Sequence, residues 1–370
     1  MVVVVHAARR PGGTAVRVAQ WRELLELTGF QAVEISLLGD GGLAPRGLRK
    51  VPSILRGTVA IETVVWSSTA LRRQLAARSP AGMVFVTLRA FDPAVVPAGV
   101  AVVVDLVDQL SASYRQRRAI DHRALVRAGW GVLAAAMARV ERRTVAGPLP
   151  VVVAGYGEAV RLGAAWLPVT VGLGDQRAAG GSPTKPAARP TPPGPVAWDV
   201  LFTGTLDYPP NVAGLRALAE SIWPEVLRQR PGTTLCVAGR RPGSEVRALV
   251  RGLGATLLDG FSSFAELASR STVAVAPLPV ATGIQIKALQ AAAHGLPMVL
   301  TPAVADGLDP EFPAAVAPSG RAFAEEVLHL LREPVAATEL GAQGKEHVER
   351  LYAPQRWVAV VGSLLRRSAG

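Results

Sequence analysis

Short runs of β-branched residues alternate with helical stretches along this chain, and that alternation limits the fold more than any other feature. Val2–Val5 opens the series. Ala15–Thr28 then places Val18, Leu24, Leu25 and Leu27 at helical spacing and stops at Gly29. Apolar runs follow at Val33–Leu38, Ile61–Val65, Met83–Thr87, Val100–Val104, Val151–Ala154 and Val169–Val171, with long helical patterns from Ser111 to Ala146. Apolar strands alternating with helices predict a parallel sheet covered on both faces.

Residues 172–197 break this pattern. The stretch GLGDQRAAGGSPTKPAARPTPPGPVA has no periodicity and reads as an interdomain linker. The alternation then restarts with strands expected at Asp199–Phe202, Thr234–Ala238, Thr256–Leu258, Val273–Pro277, Met298–Thr301 and Ala314–Ala317. Helices are expected at Asn211–Gln229, Ser244–Gly252, Ser263–Ser269, Gly283–His294, Arg321–Leu331, Val335–Gly344 and Tyr352–Ser368. A chain of 370 residues exceeds one ordinary core. The expectation is two doubly wound α/β domains, 1–171 and 198–350, with a last helical stretch at 351–370. Such sheets bind ligands at the carboxyl ends of their strands.

No window reaches the roughly 18 apolar residues of a membrane span. Met1–His6 lacks the basic start and the apolar length of a signal peptide. The single cysteine, Cys236, lies in an apolar run and reads as a core residue; a cytoplasmic location is the default.

The segment Val273–Leu308 holds the densest candidate chemistry. A strand ends at Pro277, a loop runs to Gly283, and a helix opens at Gly283–Ile284 and continues through Ala291, Ala292 and Ala293. Backbone N–H groups at a helix mouth, helped by the helix dipole, suit a diphosphate. Lys287, one turn in, adds a charge. The same residues also describe any helix packed in a doubly wound domain.

The segment GIQIKALQAAAHGLP at Gly283–Pro297 resembles the donor-domain signature of glycosyltransferase family 4, retaining enzymes of GT-B fold. FTGTLDYPPN at Phe202–Asn211, VAGRRP at Val237–Pro242 and DGFSSFAEL at Asp259–Leu267 are similar to family segments in the same order. The resemblance covers residues 199–310 and implies two facing Rossmann-like domains with a cleft between them. It implies transfer of a sugar from a nucleotide diphosphate sugar to a hydroxyl acceptor with retention, and no metal or other cofactor. The last helix would cross back to the N-terminal domain. The implied donor contacts are Gly204, Thr205, Arg240, Arg241, Gly260, Phe261, Thr282, Gly283, Ile284, Lys287 and Gln290. Gly12 and Gly13 would approach the donor from the other domain, although a glycine pair is otherwise a turn. Asp108, in VVVDLVDQLSASYRQRR, is a candidate catalytic group and equally a cap for the following helix. The family's pair of glutamates is replaced here by Thr282 and Gln290. Glutamine can bond a ribose hydroxyl, but without the strength of a charge-assisted bond. This departure leaves a non-catalytic donor-binding protein as the alternative. Arg240 and Arg241 read either as diphosphate ligands or as plain surface charge.

Charge is distributed unevenly. Residues 1–170 carry 21 Arg and Lys against 11 Asp and Glu, residues 171–370 only 19 against 17. Arg115, Arg117, Arg118, Arg123, Arg127, Arg139, Arg142 and Arg143 crowd the long helical region. A solvated face explains such a run; an anionic acceptor or peripheral contact with an anionic membrane is the functional reading. No recognisable nucleic-acid module accompanies the charge, so a nucleic-acid partner is not expected.

Overall fold

The computed structural model describes residues 1–7, 13–37, 59–60, 63, 68–120, 123–171, 196–261 and 263–367. Gly12, most of the strand expected at Ile61–Val65 and most of the linker lie outside the described residues. The chain divides into two compact units. The first comprises Met1–Thr170, Thr282–Ile284 and Pro354–Gly370; the second comprises Val171–Ala281 and Gln285–Ala353.

The first unit contains β1 (Val2–His6), α1 (Gly13–Leu27), β2 (Ala32–Ser36), α2 (Ser68–Arg78), β3 (Gly82–Val86) and β4 (Ala101–Asp105). It continues with α3 (Leu110–Ile120), α4 (Ala124–Val145), β5 (Val151–Val153), α5 (Tyr156–Leu162) and β6 (Ala165–Trp166). Its six parallel strands lie in the order β2-β1-β3-β4-β5-β6. Val3 pairs with Met83 and Val5 with Phe85, and the same two residues of β3 pair with Val102 and Val104 of β4. These residues share one face and pack with Leu71, Leu75, Tyr114, Met137 and Val140 from the covering helices. The alternate residues Val2, Val4, Val84 and Val103 are buried as well, which explains runs with no polar alternation.

The second unit contains β7 (Trp198–Thr203), α6 (Pro209–Ala217), a π-helical turn (Leu218–Ile222), α7 (Trp223–Gln229), β8 (Leu235–Gly239), α8 (Ser244–Gly252), β9 (Thr256–Asp259) and α9 (Phe264–Ser269). Then come β10 (Ser271–Ala276), α10 (Ile286–Ala293), β11 (Met298–Leu300), α11 (Pro302–Ala305), β12 (Ala315–Val316), α12 (Arg321–Arg332) and α13 (Pro334–Leu351). The parallel order is β12-β11-β10-β7-β8-β9. The final helix α14 (Pro354–Arg367) belongs with the first unit, where it packs on α1 and β4. Among the described residues no helix is long and apolar enough to cross a membrane.

Three expectations need correction. Val169–Val171 is not a strand; the edge strand is Ala165–Trp166. Pro168 lacks the N–H a ladder requires, and its carbonyl accepts bonds from Arg17 and Gln20 instead. The helix expected over Asn211–Gln229 is broken by the π-turn, which absorbs the hydrogen bond that Pro224 cannot make. The helix expected from Gly283 begins only at Ile286.

Candidate active site

In the second sheet β7 lies between β10 and β8, so the strand order reverses between β7 and β10. Ligands of open parallel sheets bind at the carboxyl ends of the strands at such a reversal. The chain leaves β7 through Gly204 into α6 and leaves β10 through Pro277 into α10. One contact joins the two departures: Lys287 Nζ, on α10, donates to Asn211 Oδ1, on α6, at 2.7 Å. The buried Asn211 amide is fixed at its other end too, since Nδ2 donates to the Thr205 carbonyl at 2.9 Å. Beneath the ammonium lies the Phe202 ring, 5.3 Å from Nζ to its centroid.

An ammonium has three donors, and Asn211 is the one hydrogen-bond acceptor Lys287 finds among the described residues. Burial without a carboxylate partner pushes its pKa down from 10.5 to about 7. Lys287 as a whole residue is only partly buried. The arrangement is a cation held ready for negative charge by neutral groups.

Glycines let the neighbouring loops close on this point. A Cβ on Gly239 would lie 1.8 Å from the Gly204 carbonyl oxygen, and one on Gly204 would lie 2.6 Å from Asn211 Nδ2. The Gly204 N–H donates to Ala238 and the Leu206 N–H to the Arg240 carbonyl, joining the ends of β7 and β8. Gly260, with φ +89°, donates to Gly239 and brings in the end of β9. Gly204, Thr205, Arg240 and Gly260 therefore gather at one sheet edge with Lys287. Arg241 is exposed and paired with Asp207 at 3.1 Å. Phe261 packs edge-on to Phe264, ring centroids 6.5 Å apart. Gln290 is half-buried, one turn beyond Lys287 on α10.

Gly283 and Ile284 do not form the helix mouth. Gln285 is the N-cap, and Gly283 takes φ +60° in the preceding loop. Its N–H is directed to a carboxylate of the first unit, Glu158 Oε1, at 2.9 Å. Thr282, Gly283 and Ile284 all pack with that unit. Their expected role as N–H donors to the diphosphate is thereby corrected for Gly283, whose single N–H is engaged.

At the carboxyl edge of the first sheet, two β-branched residues hold positive φ: Thr87 at +71° and Val107 at +64°. Such strain needs support from its surroundings. Asp105 supplies it after β4. Its Oδ2 accepts from Arg17 Nε and Trp21 Nε1, both at 2.5 Å, and its Oδ1 accepts from the Val107 N–H at 2.8 Å. Arg17 and Asp105 form a fully buried ion pair. Asp108 lies just beyond. Burial pushes its carboxyl up, while Arg89 and then Arg117 oppose that rise. The start of α3 is met by two distant acids: Glu158 Oε2 accepts from Gln109 N, and Glu141 accepts from both Ser111 N and Ser111 Oγ. Gly13 opens α1, and a Cβ added to it would meet nothing within 4 Å among the described residues. His6 sits 3.9 Å from Glu34, and burial lowers its pKa.

Residues 197–333 match the family described as glycosyl transferases group 1. No curated protein matches the chain by sequence. Solved structures share the fold over the whole chain. Sucrose-phosphate synthase from Thermosynechococcus elongatus superposes with a TM-score of 0.67 at 16% identity, covering 99% of this chain and 98% of that one. AviGT4, a glycosyltransferase involved in avilamycin A biosynthesis, gives 0.59 at 14% identity, covering 100% and 98%. HepE of Anabaena in complex with UDP-glucose gives 0.59 at 12%, covering 98% and 99%. The second unit thus carries a match to a glycosyl transferase family, and the whole chain shares the GT-B fold of these structures.

The sequence pattern omits two residues of the second unit's site and one acid of the first unit. Asn211 and Phe202 both lie in FTGTLDYPPN, and the proline-opened helix marks where that asparagine falls. Their partnership with Lys287 needs the strand order and is not visible along the chain. Glu158 carries no signal, because an acid in the first turn of a short helix reads as a solvated residue.

Proposed function

We propose that the protein transfers a sugar from a nucleotide diphosphate sugar to a hydroxyl acceptor with retention of anomeric configuration. The observation that carries this reading is Lys287, set by Asn211 at the strand-order reversal of the unit that matches the glycosyl transferases. The electrostatic contribution is the largest in such a step: positive charge placed where the leaving diphosphate gains negative charge. Lys287 supplies it, with Arg240 on the same edge. Gln290 bonds the ribose, and Gly260 and Phe261 flank the base. As the bond from the anomeric carbon to the phosphate oxygen breaks, that oxygen accepts the proton of the acceptor hydroxyl, whose oxygen forms the new glycosidic bond. This path requires neither a protein nucleophile nor a metal. Asp108, whose carboxyl feels the charge of Arg89, is the candidate catalytic acid of the first unit.

HepE has been solved with UDP and with UDP-glucose, so UDP is the first probe. Calorimetric titration with UDP, followed by turnover over a panel of nucleotide sugars, tests the reading. Saturable binding with turnover of one donor is expected; absence of binding by any nucleoside diphosphate overturns it. The glutamine at 290 favours a second reading, a protein that binds the donor without turning it over, and binding with no turnover across the panel selects it.

The location that accompanies this function is cytoplasmic, with peripheral contact at an anionic membrane. All eight arginines, those of α3 and α4 and Arg123 between them, are exposed, and the one acid on these helices, Glu141, is buried. Leu125 is 89% exposed beside them. Equal co-sedimentation with neutral and phosphatidylserine vesicles removes the membrane contact.

A further inference from the structure

Glu158 is a buried acid that the proposed reaction leaves unused. It stands in the first turn of α5 with 2% of its surface exposed. Its two oxygens serve different backbone donors: Oε1 accepts from Gly283 at 2.9 Å, and Oε2 from Gln109 at 3.1 Å. Gly283 is enclosed as well as bonded. A Cβ added to it would lie 3.1 Å from Asp108 Cβ, and one added to Gly155 would lie 3.3 Å from the Gly283 Cα. The chain then runs through Gln285 into α10, whose second residue is Lys287.

We propose that Glu158 is a positioning residue of the transferase: its carboxylate fixes Gly283 and thereby sets the segment from which Lys287 projects toward the diphosphate. The inference rests on the reading of Lys287 as a diphosphate ligand. A hydrogen bond to a carboxylate is roughly twice as strong as a neutral one. The ionised form accepts from both N–H groups more strongly, because protonation turns one oxygen into a donor with reduced acceptor capacity. Burial, and then Asp108, oppose that ionisation, while the bonds from Gly283 and Gln109 and the charge of Arg161 favour it. Asp108 is itself faced by Arg89, Arg117 and Asp105. The balance places the Glu158 carboxyl at about 8 instead of 4.5. The grip on Gly283 therefore tightens as pH rises through that value.

The test is hydrogen exchange of the peptide spanning residues 279–287 in the full-length protein, paired with UDP titration at pH 8.5. In Glu158→Ala the peptide is expected to exchange about tenfold faster, the factor one lost charge-assisted bond is worth. UDP affinity is expected to fall by a similar factor. Glu158→Gln must set its NH2 against one of the two donors, so it weakens the grip without removing the side chain. In the unaltered protein, protection of this peptide, corrected for intrinsic exchange, should rise between pH 7 and 9, and in Glu158→Gln it should stay flat. Unchanged exchange in the variants, or a flat profile in the unaltered protein, overturns the positioning. Faster exchange with unchanged UDP affinity makes Glu158 structural only and overturns the link to the donor. If the unaltered protein binds no nucleoside diphosphate, the functional reading fails, while the exchange profile still decides whether Glu158 holds Gly283. The pH profile requires no variant, so a variant that does not fold still leaves a decision.

Discussion

Between pH 7.5 and 9 the advantage that Lys287 gives to UDP binding should fall about 25-fold. The perturbation is deprotonation of an ammonium that the free protein already holds weakly, at about 7 instead of 10.5. A diphosphate beside the ammonium restores its charge and lifts its pKa back toward the ordinary range. Binding therefore takes up the proton that the free protein has lost. Above the free-state pKa, the affinity falls as 1 + 10^(pH − 7). That factor grows from about 4 at pH 7.5 to about 100 at pH 9, a change of roughly 1.9 kcal/mol. The window is chosen so that the phosphate, with a second pKa of about 6, is ionised throughout. Glu158 titrates in the same window with opposite effect, so the quantity to follow is the ratio of affinities, wild type over Lys287→Met. Calorimetry in two buffers of different ionisation enthalpy gives the proton count independently. Near pH 8.5 the wild type should take up close to one proton more per UDP bound than the variant does. A ratio that stays constant from pH 7.5 to 9, with no excess uptake, refutes the argument: Lys287 would then be charged already, or remote from the diphosphate.

Asp105→Ala should destabilise the first unit by about 3–5 kcal/mol, because it leaves the Arg17 guanidinium buried without its counter-charge; a denaturation midpoint unchanged from wild type contradicts this. Gly239→Ala places a methyl 1.8 Å from the Gly204 carbonyl oxygen, and overpacking of this kind costs about 1–3 kcal/mol. It should also disturb the Gly204 loop, so weaker UDP binding is expected with the loss of stability. Gln290→Glu offers the ribose hydroxyls a charged acceptor, which roughly doubles the bond. Tighter UDP binding is the expected calorimetric result, and weaker binding would show that the glutamine is suited to a different nucleotide contact.

The fold was legible because burial on both faces leaves an unmistakable mark. Val2–Val5 and Val102–Val104 are apolar at every position, as strands of a covered parallel sheet must be. Errors arose where a local property of one residue overrode the pattern. Pro168 ended the sheet before Val169, and Pro224 forced a π-turn inside a stretch with good helical periodicity. The site divides along the same line. Residues placed by their own loop, such as Gly204 and Gly260, follow from position after a strand. Asp108 shows the limit: its segment is visible in the sequence, but the acid that orders the end of β4 is Asp105, whose partners Arg17 and Trp21 lie 88 and 84 residues away.

Lys287 and Glu158 explain why chemistry is harder to read than architecture. Lys287 is visible in the sequence as a cation at a helix start, yet the role proposed for it depends on the lack of a carboxylate partner among the described residues. A carboxylate in place of Asn211 would keep the ammonium charged and already satisfied, and a diphosphate would gain little by approaching. Glu158 is the converse, an acid surrounded by backbone donors and held near another acid, so its ionisation depends on Gly283 being in place. Neither property belongs to a residue type or a spacing. Each arises from desolvation, which is set by every element packed around the group. A sequence can therefore announce the carboxyl edge of a sheet well before it shows which of its charges are present at neutral pH.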